Sequence, residues 1–354
     1  MINFFRALLL VVLLHSVLPA FAASERLFCP NLHLNAEVLT EDGMIASDTP
    51  GIELFVRNKR LALFSEFGER STLLYVHGAT YPAETAFDLR LSGFSWMDYI
   101  VCHGYDVYLV DVRGYGRSTR PAEMDAPVLD HPPIVTTDVA IRDVASAVEH
   151  ILARRSIPRL NLLGWSWGTT IMAGYTAAHN DKVVKLVLYA PVWLRDKPAP
   201  IPPDEELGAY RSVTKDAARK RWLNGVAEDR QAELIPEGWF EAWQEATWAT
   251  DPQAAATGAL RAPNGVLKDI RDFWSAGKPA YDASQIRVPT MIAHAEWDAD
   301  TPTYMSLELQ KQLVNAPQVR FLEIPEGTHT VVMEKNRMQL LREVQDFLDE
   351  RSKP

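Results

Sequence analysis

The chain has 354 residues, 47% hydrophobic and 23% charged, which are ordinary proportions for a globular protein. Its 36 Lys and Arg against 46 Asp and Glu leave a net charge of -10, which argues against nucleic acid and anionic membrane surfaces as partners, since both select basic faces. Two cysteines are too few for a zinc cluster or a disulfide scaffold, and no repeat or block of like charge stands out.

After Met1 to Asn3 come Phe4, Phe5 and a single cation, Arg6, then an apolar run from Ala7 to Leu14 that resumes at Val17-Leu18, then Pro19 and Ala20-Phe21-Ala22. A charged start, a short apolar stretch and a small-residue exit describe a bacterial secretory signal peptide over residues 1–22, cut after Ala22. The run is shorter than the roughly 20 residues a spanning helix needs. The mature protein is therefore expected in the periplasm or outside the cell, with no stable membrane span. There Cys29 and Cys102 meet an oxidising compartment, where one disulfide and two buried thiols both remain open.

Next come short apolar runs that read as buried strands, each leading into a turn: 73–76, 107–110, 160–163, 183–188, 290–293 and 319–324. Glu37 to Thr40 and Ile52 to Arg57 read as leading antiparallel strands. Between them lie helical patterns. Ser95 caps one helix that Gly104 stops, Ile141, Val144, Val148 and Ile151 share a face of another, and Leu340 to Leu348 carry the apolar side of the last. Strands alternating with helices predict an α/β fold with a mostly parallel sheet.

One connection breaks the rhythm: about a hundred residues separate the strands ending at Tyr189 and starting near Pro289, where a crossover needs only about a dozen. The core is thus predicted over 23–190 and 288–354, with a helical cap inserted at 191–287. The insertion opens on Pro198, Pro200, Pro202 and Pro203, with Asp251-Pro252 starting one helix and Asn264 and Gly277 bracketing another. It holds Trp193, Trp222, Trp239, Trp243, Trp248 and Trp274, which suit both a small cap core and an aromatic lid over a pocket.

The sharpest chemical signal is Gly164-Trp165-Ser166-Trp167-Gly168, placed between a predicted strand and a predicted helix. That is the context of a nucleophile elbow, where glycines let strand and helix approach closely and the serine is held in a strained turn. A serine hydroxyl needs a base, which in this arrangement comes last in the chain, after an acid. His329, just past the last predicted strand, fits the base. Among Glu296, Asp298 and Asp300, Asp298 fits the acid, while Asp300 is expected to cap the following helix. The oxyanion donors are expected to be the backbone N–H groups of Trp167, at a helix start, and of Ala79, in His77-Gly78-Ala79. Thr80 and Tyr81 could add hydroxyls. His77, His103, His150 and His179 read as structural or surface residues. Asp111 to Ser118 reads as a structural turn, since neither a phosphate loop nor a dinucleotide fingerprint is present.

Together, His77-Gly78, Asp111-x-Arg113-Gly114-Tyr115-Gly116-x-Ser118, the Ser166 elbow, Asp298 before Pro302 and Gly327-x-His329 resemble the α/β-hydrolase superfamily, in its serine-nucleophile branch. The resemblance implies an eight-stranded, mostly parallel sheet, a helical cap, and no metal or organic cofactor. Ser166 stands where dehalogenases and epoxide hydrolases of this fold use Asp. The elbow and Asp111 to Ser118 also resemble proline iminopeptidases, whose oxyanion loop is usually His-Gly-Gly-Pro-Gly. Here it reads His77-Gly78-Ala79-Thr80-Tyr81-Pro82. The expectation is a serine hydrolase cleaving a carboxylic ester of a small, apolar or aromatic substrate through an acyl-enzyme. An aminopeptidase-type hydrolase, for which Glu205, Glu206, Glu237 and Glu241 could hold a free amine, and a silent binding protein on the same fold are the alternatives.

Overall fold

The computed structural model describes residues 21–199, 201–202 and 205–351. The apolar leader and Pro200, Pro203 and Asp204 of the proline-rich stretch lie outside them. Eleven strands occur among the described residues: β1 Phe21–Cys29, β2 Leu34–Ala46, β3 Glu53–Leu61, β4 Thr72–Val76, β5 Asp106–Val110, β6 Leu160–Trp165, β7 Val183–Tyr189, β8 Tyr210–Thr214, β9 Ala259–Pro263, β10 Thr290–Ala295 and β11 Val319–Ile324.

Nine of them form one sheet in the order β1-β2-β3-β5-β4-β6-β7-β10-β11. From β5 across to β11 every pairing is parallel, and β1 to β3 run antiparallel at one edge. This is the α/β-hydrolase arrangement, with one strand more than the eight implied by the resemblance. Successive residues of each central strand enter opposite cores: Leu73, Tyr75, Val187 and Met291 on one face, Leu74, Val76, Leu188 and Ile292 on the other. Both faces are covered, which explains why these strands read as continuous apolar runs. Strand β11 is the exception, being the half-buried edge.

Helices follow their sequence signals. Ser95 Oγ accepts from Asp98 N at 2.9 Å and Asp98 returns the bond to Ser95 N, a full capping box that starts the helix Trp96–Cys102. Cys102, its last residue, is joined to Cys29 at the end of β1 by a disulfide with Cα atoms 5.3 Å apart.

The inserted segment differs from the all-helical expectation. Its strands β8 and β9 pair antiparallel into a small sheet, and Pro252 precedes only the four-residue helix Ala254–Thr257. Asp251 is drawn instead to Arg261, accepting from both its backbone and its guanidinium. The helices Lys215–Trp222, Trp239–Trp248 and Gly265–Asp272 complete the cap. Asn264 precedes the last of these, and Gly277 closes the turn after it. The cap is stitched to the core: Ala209 N bonds to Val128 O, Gly265 N to Ile134 O, and Asp269 accepts from Thr137 N and Oγ1.

Candidate active site

The order β5-β4-β6 means that the chain turns one way from β4 and the other way into β6. Ligand sites of open α/β sheets form at such a reversal, beyond the carboxyl ends of the strands. Ser166 sits there, between β6 and the helix Trp167–Ala178, with φ 56° and ψ -122°. This sparsely populated conformation is held by surroundings that over-determine it. Ser166 N donates to Tyr189 O at 2.8 Å, and Ser166 O accepts from Thr169 N at 2.8 Å and Thr169 Oγ1 at 2.5 Å. The flanking glycines are required by contact. A Cβ on Gly164 would lie 2.3 Å from Gly168 O, and one on Gly168 would lie 2.6 Å from His77 O.

The histidine hangs from the loop after β11. His329 Nδ1 lies 2.8 Å from Asp298 Oδ2, and its Nε2 has no partner among the described residues. The His329 carbonyl is pinned from below by Trp165 Nε1 at 3.1 Å and Tyr189 Oη at 2.9 Å. Asp298 is itself fully engaged: Oδ1 accepts from Asp300 N and Thr301 N, and Oδ2 also from Thr301 Oγ1 at 2.8 Å. A carboxylate fixed this way holds Nδ1 as the donor and leaves Nε2 as the basic nitrogen. Burial disfavours the His329 imidazolium, yet the Asp298 charge and hydrogen bond, with Asp300 behind them, outweigh it and raise the pKa above the ordinary 6.5. Glu296 points elsewhere and accepts from Glu326 N.

The third contributor is the loop after β4. His77 is buried; its Nε2 accepts from Val112 N at 3.1 Å while Nδ1 faces Gly78 O at 2.6 Å. Burial pushes its imidazole down to about 4, so it is a neutral strut. A Cβ on Gly78 would lie 2.8 Å from Ser166 Cβ, so only glycine lets this loop approach the serine. Trp167 N, at the first residue of its helix, has no intrahelical acceptor. Ala79 N donates to no protein acceptor among the described residues, and Ala79 shares a cavity with Ser166. Thr80 holds φ at 84°, an outlier for a β-branched residue, and its hydroxyl accepts from Arg211 at 2.5 Å. Asp111 accepts from Ala83 N and Arg117 N, which makes 111–118 a structural turn.

Ser166 and His329 open on one side to a niche of only about 20 Å³, walled by Tyr81, Trp165, Trp222 and Trp243 and by Arg221 and Asp300. Tyr81 meets Trp243 edge-on, and Trp243 meets Trp222 and Trp248. The tryptophans thus pack the cap and wall the site at once. On the other side Ser166 faces a chamber of about 460 Å³ whose lining mixes Val213, Val266, Leu267 and Ile270 with Arg195, Arg211, Arg221 and Asp300.

Here one expectation is corrected. Asp300 does not cap the next helix, which starts at Thr303 after Pro302 without a side-chain cap. Asp298 satisfies that turn's N–H groups, and Asp300 Oδ2 instead takes Arg221 Nε at 2.7 Å. Burial opposes ionisation of Asp300, but Arg221, with His329 and Arg195 adding to it, holds its carboxyl below the usual range. The four acidic residues considered for a free amine, Glu205, Glu206, Glu237 and Glu241, are all exposed and none lines either space.

Glu334 was also not singled out by sequence reasoning. Fully buried, it accepts from Thr328 N and Oγ1, one residue before His329, and from Trp222 Nε1 of the cap at 2.8 Å. The only sequence trace of it is an acidic residue directly after the apolar stretch from Val331 to Met333.

Residues 73–336 match the family described as alpha/beta hydrolase fold. Among curated proteins, the chain is 24% identical over 258 residues to the probable proline iminopeptidase of Leptolyngbya boryana, covering 64% of this chain and 73% of that one. Among solved structures, the thermophilic esterase of Thermogutta terrifontis superposes with a TM-score of 0.54 at 18% identity, covering 87% of this chain and 97% of the esterase. The meta-cleavage product hydrolase of Pseudomonas fluorescens IP01 gives 0.58 at 15% identity, with 86% and 97% covered.

Proposed function

The chain belongs to the alpha/beta hydrolase fold family, and from that premise we propose that it is a serine hydrolase cleaving a carboxylic ester of a small substrate with an apolar body. The observation that carries the reading is His329, tied through Nδ1 to Asp298 at 2.8 Å, with a partnerless Nε2 on the same cavity wall as Ser166.

In this reading Ser166 Oγ attacks the ester carbonyl carbon while His329 Nε2 takes its proton. Asp298 keeps the imidazole in the accepting tautomer and stabilises the imidazolium. The N–H groups of Ala79 and Trp167 hold the oxyanion, aided by the start of the helix Trp167–Ala178. Collapse of that intermediate breaks the C–O bond, and the alcohol leaves with the proton from His329. Water then attacks the acyl-enzyme with His329 again as base, releasing the acid and restoring Ser166. An ester is favoured over an aminopeptidase substrate because, among the described residues, no free carboxylate lines the chamber to bind an amine: Asp300 is already paired with Arg221.

Export to the periplasm or beyond belongs to the same proposal. It rests on the leader sequence and on the pairing of Cys29 with Cys102, since disulfides persist in oxidising compartments. The test of activity is a panel of p-nitrophenyl esters of rising chain length against amino-acid arylamides, with a fluorophosphonate probe to report on Ser166. Turnover of arylamides alone would replace the ester reading, and a silent protein that takes no label would remove catalysis altogether.

A further inference from the structure

We infer that the substrate carries an anionic group, a carboxylate or a phosphate, on its apolar body, and that Arg195, Arg211 and Arg221 select it. The inference rests on the reading of Ser166 as nucleophile and adds the substrate class.

Elsewhere among the described residues, most guanidinium groups that reach inward meet carboxylates: Arg57 meets Asp42 and Asp88, Arg113 meets Asp143, Arg155 meets Asp106 and Arg261 meets Asp251, while Arg120 donates to two backbone carbonyls and lies 4.0 Å from Asp251. Arg337, which lacks a carboxylate there, is packed between the rings of Phe94 and Trp239. The chamber beside Ser166 breaks this pattern, with three arginines and one carboxylate among the described residues on its walls.

Arg221 is paired with Asp300, but through Nε alone, so its outer nitrogens keep donor capacity. Arg211 touches only neutral acceptors, Pro263 O at 2.5 Å, Thr80 Oγ1 at 2.5 Å and Asn264 Oδ1 at 3.5 Å. Arg195 forms no ion pair among the described residues, and its Nε is buried without any partner. Enclosing cations without counter-charge is costly. A planar guanidinium fork matches the oxygens of a carboxylate or phosphate, so an anionic ligand supplies the missing partner.

Arg221 and Asp300 keep 39% and 24% of their side-chain surface, although protein surrounds them, because they face the chamber. Its volume of about 460 Å³ lies within the roughly 300–1,000 Å³ typical of small-molecule sites. The niche across Ser166, walled by Trp165, Trp222, Trp243 and the Arg221–Asp300 pair, holds only about 20 Å³, so a larger substrate must extend into the chamber. Val266, Leu267 and Ile270 would then contact its hydrocarbon portion. A protein of net charge -10 that places this charge excess beside its nucleophile is built against its own average.

The test compares matched esters on the full-length protein: p-nitrophenyl hemi-esters of glutaric and adipic acid against p-nitrophenyl pentanoate and hexanoate. Fluorophosphonate labelling of Ser166 runs in parallel. The hemi-esters should be favoured in kcat/KM by tenfold or more. Arg195→Gln should reduce the ratio of hemi-ester to neutral ester at least tenfold, and Arg195→Lys should restore part of it. Inhibition by free glutarate against butyl phosphate then separates the two anions. A wild-type ratio of one or less, or a ratio untouched by Arg195→Gln and by Arg211→Gln, overturns the inference while labelling and neutral-ester turnover leave the serine hydrolase standing. Absence of both labelling and turnover sinks the hydrolase reading itself.

Discussion

Replacing Asp298 by Asn changes one oxygen into an amide nitrogen and very little else in volume. Its consequences can be followed bond by bond. Oδ1 can go on accepting from Asp300 N and Thr301 N, so the turn at the end of β10 keeps its two anchors. The amide group then replaces Oδ2, 2.8 Å from His329 Nδ1 and 2.8 Å from Thr301 Oγ1. The hydroxyl of Thr301 can rotate to accept, but the imidazole cannot donate to a donor. It must present Nδ1 as an acceptor, which moves its proton to Nε2, the atom that has to receive the proton of Ser166. The wrong tautomer in a comparable triad lowers kcat about 10⁴-fold, and the same order is expected here. Stability should change by only about 1 kcal/mol, the net worth of one hydrogen bond. Steady-state hydrolysis of a p-nitrophenyl ester, paired with urea denaturation, measures both. A folded Asp298→Asn enzyme that keeps a tenth of wild-type turnover would refute the tautomer argument. A variant destabilised by several kcal/mol would show that the carboxylate is structural.

Ser166→Ala should lower kcat by about 10⁶-fold in a protein that still folds, and near-normal turnover would remove Ser166 from the chemistry. The kcat/KM profile should fall on the acid side with an apparent pKa above 6.5, because only neutral His329 accepts a proton and its pKa is raised; activity flat down to about pH 5 would contradict a histidine base. Asp300→Asn should move that acid limb to lower pH, since it removes one carboxylate near His329 and leaves the opposing Arg221 charge unpaired; a shift to higher pH would contradict this electrostatic layout. Glu334, with a pKa pushed up to about 7 by burial despite three donors, holds a proton in the folded state that the unfolded chain releases between about pH 4.5 and 7. Its contribution to stability therefore declines as pH rises through that window, and Glu334→Gln should flatten the decline in denaturation curves taken across it.

The core of the fold was legible because each central strand is buried on both faces and each connecting helix is amphipathic, so that composition alone marks them. The Ser95 to Asp98 box and the Gly104 stop were legible for a different reason: both are local, written within four or five residues. The small β8–β9 sheet was not. Tyr210–Thr214 and Ala259–Pro263 are five-residue strands some fifty residues apart, and β8 is half exposed, so neither alternation nor a turn signal announces them. The edge strands β1 and β2 were shortened or missed on the same grounds, since β2 carries Glu37 exposed and Glu41 and Asp42 drawn into ion pairs with Arg60 and Arg57, which breaks the apolar alternation.

The site divides along the same line. Ser166 is local information, a pentapeptide whose glycines are dictated by contacts of 2.3 and 2.6 Å. His329 and Asp298 needed only their positions after two recognisable strands. What surrounds them is different in kind. Arg195 follows β7, Arg211 lies on β8 and Arg221 on the helix Lys215–Trp222, where neighbouring Arg219 and Lys220 are exposed and give the whole run the look of a solvated face. Only the folded cap turns Arg221 inward, drawing Asp300 away from the helix start where a local rule would have kept it. The N–H groups of that turn are already taken by Asp298, so the carboxylate of Asp300 is free to meet Arg221. Tertiary electrostatics overrode a local preference at this point because the chamber already held two other guanidinium groups in want of negative charge. That same deficit, left unfilled by Asp300 alone, is what an anionic substrate would complete.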